Sequence, residues 1–175
     1  NQVKINEYGL GDLYTNFDPG SGGALDAAIA GAFAKGQPLV SYYWTPTSLM
    51  GKPEIDMVRL TEPGYDKQCW DDMMVVVNNI KADGLEAYTP SCACEYKDMA
   101  LTKLATGKFA AAHPEIIEFA NAYTISTADV NAMLAYYVDV SGGDMEATAM
   151  HYLETYSDWE SWVSADVAAK VKSAL

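Results

Sequence analysis

The sequence predicts an α/β fold. Residues 24–35 place Leu25, Ala28, Ile29, Ala32 and Phe33 on one helical face, Gly36-Gln37-Pro38 stops that helix, and residues 39–44 follow as a run of β-formers. Helix, turn and strand in that order make half of a βαβ unit, which implies a mixed or parallel sheet. A second strand pattern over residues 55–60, closed by Glu62-Pro63-Gly64, and a helical pattern after His113 complete the case.

In chain order, residues 2–9 read as a short helix ended by Gly9 in the position after the cap. Residues 13–17 form a short strand pattern, and Pro19-Gly20-Ser21-Gly22-Gly23 is a turn opening the helix that reaches Lys35. Backbone amides in this turn could meet an anion, but the commoner role of such a turn is to cap its helix. Residues 71–82 fit helix or strand, because Met73-Met74-Val75-Val76-Val77 is apolar at every position. Cysteines bracket this stretch, so it is expected to be a loop-rich insertion at about 66–97 stapled by a disulfide. Residues 98–104 read as strand.

From 114 onward every pattern is helical. Pro114 suits a first helical position, and Ile116, Ile117, Ala120 and Tyr123 share a face. Ser126 with Asp129 resembles a capping box ahead of Val130, Met133, Leu134, Tyr137 and Val138, and Gly142-Gly143 breaks that helix. Met145, Ala149, Tyr152, Leu153 and Tyr156 mark the next helix, and Ser164 caps a last one through Val167 and Val171.

Half of the 175 residues are apolar and a fifth are charged, the profile of a folded chain. A net charge of −13 excludes nucleic-acid partners, which require basic surface. No apolar run reaches the ~18–20 residues of a membrane helix. The opening on Asn1 rather than Met suggests a processed or front-truncated product. Cys69, Cys92 and Cys94 allow one disulfide and one thiol, and a link from Cys69 to either of the others is easier than a bridge between residues two apart. Such a bridge places the chain in an oxidising compartment.

Several segments taken in order resemble the substrate-binding proteins of ABC importers for glycine betaine, choline and related osmolytes. They are Tyr8-Gly9-Leu10, Pro19-Gly20-Ser21-Gly22, Tyr42-Tyr43-Trp44-Thr45-Pro46-Thr47, Met57-Val58-Arg59-Leu60-Thr61-Glu62-Pro63, Tyr65-Asp66 and Cys69-Trp70. The endings Asp158-Trp159-Glu160-Ser161-Trp162-Val163 and Val171-Lys172 resemble the same family, while residues 71–97 match least. The resemblance implies a two-lobed type-II periplasmic-binding-protein fold without the N-terminal part of that fold. Residues 1–60 would then be the remainder of lobe two, and 61–175 the C-terminal part of lobe one. It also implies a periplasmic or otherwise extracytoplasmic location, a quaternary-ammonium ligand and an ABC permease as partner. A fold so shortened would expose sheet edges, which makes a homodimer or domain swap an expectation.

A quaternary ammonium has no hydrogen to donate, so aromatic faces must hold it, at about 0.5–2 kcal/mol per ring. Tyr42, Tyr43 and Trp44 lie where a strand ends and Thr45-Pro46-Thr47 turns away, the usual place for ligands in open α/β sheets. Strand alternation would put Tyr42 and Trp44 on one face and Tyr43 on the other. An aromatic run on a strand is more often core than site. The resemblance reverses that for Trp44, making it the first candidate wall, with Tyr42, Tyr43 and Pro46 beside it. Trp70, Trp159 and Trp162 are expected to pack internally.

An enzyme is not expected. Cys92-x-Cys94 with His113 or His151 sketches a thiol- or zinc-dependent alternative, yet lacks the usual paired ligand spacing. No phosphate loop or dinucleotide fingerprint occurs, and no cofactor or metal is implied. A structural fragment without ligand binding is the remaining alternative.

Overall fold

A computed structural model describes residues 1–175. Its regular structure is eight α-helices and three short 3-10 turns, with no strand. The chain divides into two compact units, one of residues 1–28 with 58–100 and one of residues 29–57 with 101–175. Helix α2 (Gly22–Ala34) contributes residues to both.

In the first unit, α1 (Gln2–Glu7) packs through Val3 on α3 (Lys67–Asp83). Asp66 starts α3 by accepting the Cys69 backbone N–H at 2.8 Å, and Gly84, at φ 85°, ends it in a conformation that favours glycine. The apolar run without visible period resolves as a helix face. Met73 and Val76 are buried, Val77 and Ile80 pack beside them, and Val75 stays 59 % exposed. The i, i+3, i+4, i+7 spacing was therefore present, obscured by apolar residues on the open side. Cys94 closes this small core, and Cys69 is bonded to Cys92 across a 23-residue separation.

In the second unit, α4 (Gly107–Ala112), α5 (Pro114–Ala122), α6 (Thr127–Asp139), α7 (Met145–Thr155) and α8 (Ala165–Lys172) follow in order. Thr106, Ser126, Asp144 and Ser164 cap four of them, each accepting a backbone N–H three residues on. The core is Tyr152, Trp159 and Ala168, with Ile125, Met133, Leu153 and Val171 around it. Trp159 is 4 % exposed and donates its indole N–H to the Leu153 carbonyl at 3.0 Å. A 3-10 turn, Leu49–Gly51, lies against α6.

The strand expectations are corrected here. Residues 13–17, 39–44, 55–60 and 98–104 have no regular secondary structure and no ladder partner. A strand exists only through hydrogen bonds to a neighbouring strand, so β-forming composition alone cannot make one. Most of their large side chains face solvent, Phe17 and Leu13 each at 75 % exposure and Leu101 at 93 %, while Ile55 is buried. The segment 66–97 is likewise not a loop-rich insertion, since α3 fills half of it.

Candidate functional site

The aromatic run lies in the second unit, between the end of α2 and the 3-10 turn. Because no strand forms, alternation does not separate the three rings. Tyr43 stacks on Trp44 with centroids 4.9 Å apart at 27°, and Tyr42 lies 6.0 Å from Trp44 at 35°. Trp44 remains 45 % exposed and Tyr42 41 %. The run thus presents a contiguous, solvent-facing aromatic surface with one face of the indole covered by Tyr43. The peptide bond from Thr45 to Pro46 is cis.

The turn that follows the rings is held from α6. The Asn131 side-chain oxygen accepts the Thr47 backbone N–H at 2.8 Å and the Thr45 hydroxyl at 3.0 Å. Within the turn, Thr47 Oγ1 accepts the Met50 N–H at 3.3 Å, and Leu49 is buried at 4 % exposure. Gly51 meets the α6 backbone so closely that a Cβ there would stand 2.0 Å from the Asn131 carbonyl oxygen. Beyond it, Lys52 pairs with Asp139 at 2.7 Å. Sequence reasoning passed over Asn131. The available signal was a poor helix former in the second turn of an otherwise apolar helical pattern.

A second aromatic group in the first unit was also missed. Trp70 meets Tyr96 edge-on at 5.2 Å and Tyr65 at 6.3 Å, and Lys4 Nζ lies 4.4 Å above the Tyr96 ring. Trp70 also packs against the Cys69 core, as expected of a structural residue. Nearby, Glu62 accepts from Lys4 Nζ at 2.6 Å and from the Tyr8 hydroxyl at 2.8 Å. Burial opposes the Glu62 charge, but those two hydrogen bonds together with the charges of Lys4 and Arg59 outweigh it and hold the carboxyl below its usual range. The same burial and the bond to Glu62 push the Tyr8 phenol upward. Glu7 accepts from the Tyr88 hydroxyl and from the Ser91 N–H, and the first of these bonds pushes Tyr88 up to about 12.

In the second unit, Trp162 joins Tyr123 and Tyr152 at 4.7 and 6.0 Å, and Lys103 donates to the carbonyls of Ala120 and Tyr123. Tyr152 donates to Asp158, and burial first, then that bond, raises its phenol. These rings interlock as packing. Two shallow depressions, of about 370 and 480 Å³, lie elsewhere. One is lined by Val75, Val76 and Pro90 and the other by Leu153, Tyr156 and Trp159, and neither includes the 42–44 run. The first carries no aromatic ring, and in the second Trp159 is buried and Tyr156 stacks on Tyr152 at 4.9 Å, so neither gathers several open ring faces as the 42–44 run does.

The cysteine and histidine alternative loses its parts. Cys92 is consumed in the bond to Cys69, while Cys94 is a thiol at 2 % exposure. His151 stacks on Tyr136 at 3.8 Å and meets Thr155 Oγ1 at 3.3 Å, and His113 is paired with Glu115. No three His, Cys, Asp or Glu side chains gather into a metal-binding group. No helix is long and apolar enough to cross a membrane.

No curated protein and no solved structure matches the chain. Residues 1–155 match the family described as the substrate binding domain of ABC-type glycine betaine transport systems. That match covers most of the chain and includes the aromatic run, the turn and α6. The chain belongs to this family of ABC-transporter substrate-binding domains.

Proposed function

We propose that this chain captures a quaternary-ammonium or related osmolyte, such as glycine betaine or choline, outside the cytoplasm for uptake through an ABC permease. Membership of the glycine betaine substrate-binding family, over residues 1–155, carries the reading. Trp44 is the principal wall for the cationic head, Tyr42 and Tyr43 extend the aromatic surface, and Pro46 shapes the turn behind it. An exposed indole beside two tyrosines supplies the electron-rich faces that a methylated ammonium requires. The net charge of −13 draws cations toward the surface. The Cys69–Cys92 bond supports an oxidising, extracytoplasmic compartment.

The finer architecture belongs to the same proposal: a type-II α/β fold whose lobes divide the chain into residues 1–60 and 61–175. Membership of the glycine betaine substrate-binding family, over residues 1–155, is what supports it. Ligand capture would be a closure of the lobes without chemistry on the ligand. The expected pairing of two copies finds no support in the family or the fold.

Titration calorimetry of the chain against glycine betaine, choline, carnitine and trimethylamine oxide tests the reading, with a salt-matched blank. Saturable binding that weakens about tenfold or more in Trp44→Ala is the expected result. No saturable heat with any of the four, or binding indifferent to Trp44, overturns it.

A further inference from the structure

We propose that Asn131 is a positioning residue for the binding surface: from α6 it fixes the 45–47 turn and thereby sets where the Trp44 indole stands. This inference rests on the reading of Trp44 as a ligand wall.

Four observations converge on it. The Asn131 side-chain oxygen takes both hydrogen bonds that tie the turn to α6, from the Thr47 N–H and the Thr45 hydroxyl. A backbone N–H can only donate, so the amide orientation follows from the Thr47 contact. Both donors lie within three residues of Trp44 and on the same side of it in sequence. Asparagine is a poor residue for a helix interior because its side chain competes for backbone partners. At this position it reaches across to another segment's backbone instead. Finally, Gly51 and the Lys52–Asp139 pair hold the far end of the same segment on α6. The turn is therefore anchored at both ends, and the Asn131 end is the one adjoining the rings. Trp44 itself has neighbouring rings but is 45 % exposed, so the backbone just after it does much of the orienting.

The acceptor role makes a sharp prediction, because aspartate preserves both accepted bonds and leucine removes them at similar size. The experiment uses the full chain labelled with 5-fluorotryptophan, the Trp44 resonance being assigned by Trp44→Phe. Its ¹⁹F spectrum is read beside titration with glycine betaine. Asn131→Leu is expected to shift or broaden the Trp44 resonance while leaving Trp70, Trp159 and Trp162 in place, and to weaken binding about tenfold. Asn131→Asp is expected to restore the resonance and to bring affinity within about threefold of the original. Thr45→Val, which removes one donor from the exposed turn, gives a smaller shift in the same direction and serves if the leucine variant fails to fold.

An unmoved Trp44 resonance in a folded Asn131→Leu or Thr45→Val variant overturns the proposal. So does a moved resonance with unchanged glycine betaine affinity, and so does a loss that Asn131→Asp fails to rescue. An unsubstituted chain that binds nothing overturns the proposed function instead, and the fluorine spectra still decide whether Asn131 places the indole.

Discussion

Gly51→Ala is the substitution whose outcome the geometry constrains most tightly. The new Cβ would stand 2.0 Å from the Asn131 carbonyl oxygen, 2.4 Å from its carbon and 3.0 Å from the Ala132 nitrogen. Ordinary carbon contacts begin near 3.5 Å, so the turn must move away by more than an ångström. All three atoms are helix backbone, which cannot swing aside as a side-chain tip can. Overpacking alone costs about 1–3 kcal/mol. Lifting the turn would also expose part of Leu49, which fully buried contributes about 1.5–3 kcal/mol, and would stretch the two Asn131 bonds, worth roughly 1 kcal/mol each. These losses are alternatives to strain more than additions to it, so the expected destabilisation is about 2–4 kcal/mol. For a chain of this size that is a fall of roughly 5–15 °C in Tm. Urea and thermal unfolding followed by circular dichroism measure it, with Gly31→Ala as control. Gly31 sits inside α2, and an added Cβ meets nothing within 4 Å. That change should be neutral or stabilise by up to about 1 kcal/mol. A Gly51→Ala variant as stable as the original would refute the close approach of the turn to α6.

Two further outcomes follow from the first unit. Cys69→Ser removes a crosslink spanning 23 residues, for which chain entropy gives a loss of roughly 3 kcal/mol in urea melts. Thiol titration of the unreduced, denatured chain should count one thiol, from Cys94, and a count of three would refute the bridge. Glu62 has a folded-state pKa below its usual 4.5, so its stabilising contribution is full above that value and disappears as pH falls through the lowered one. Glu62→Gln should therefore cost roughly 1–2 kcal/mol at neutral pH and flatten the decline in stability with acid. Parallel acid profiles of the two proteins would count against the pairing with Lys4 and Tyr8.

Much of the helical organisation was legible in the sequence because its causes are local. Ser126 and Ser164 each bond an amide three residues on, Pro114 lies in the first turn of its helix, and Gly142-Gly143 adopt positive φ where α6 ends. Hydrophobic spacing revealed α7 and α8 for the same reason. It failed at α3, where Val75 and its neighbours make the open face as apolar as the buried one. The strands failed because β-forming residues state a preference that only a second segment can satisfy.

By itself, then, the sequence determined where most helices start and stop, though not α3 or α4, which residues form the aromatic run, and the family to which their order belongs. Tertiary structure decided that Cys69 bonds Cys92 and leaves Cys94 buried, that Tyr43 covers one face of Trp44, and that Asn131 and Gly51 bind the adjoining turn to α6. The physical reason is range. Caps, breaks and amphipathic spacing act within a few residues, whereas the contacts that place Trp44 join segments more than eighty residues apart, and no local pattern encodes which partner they choose.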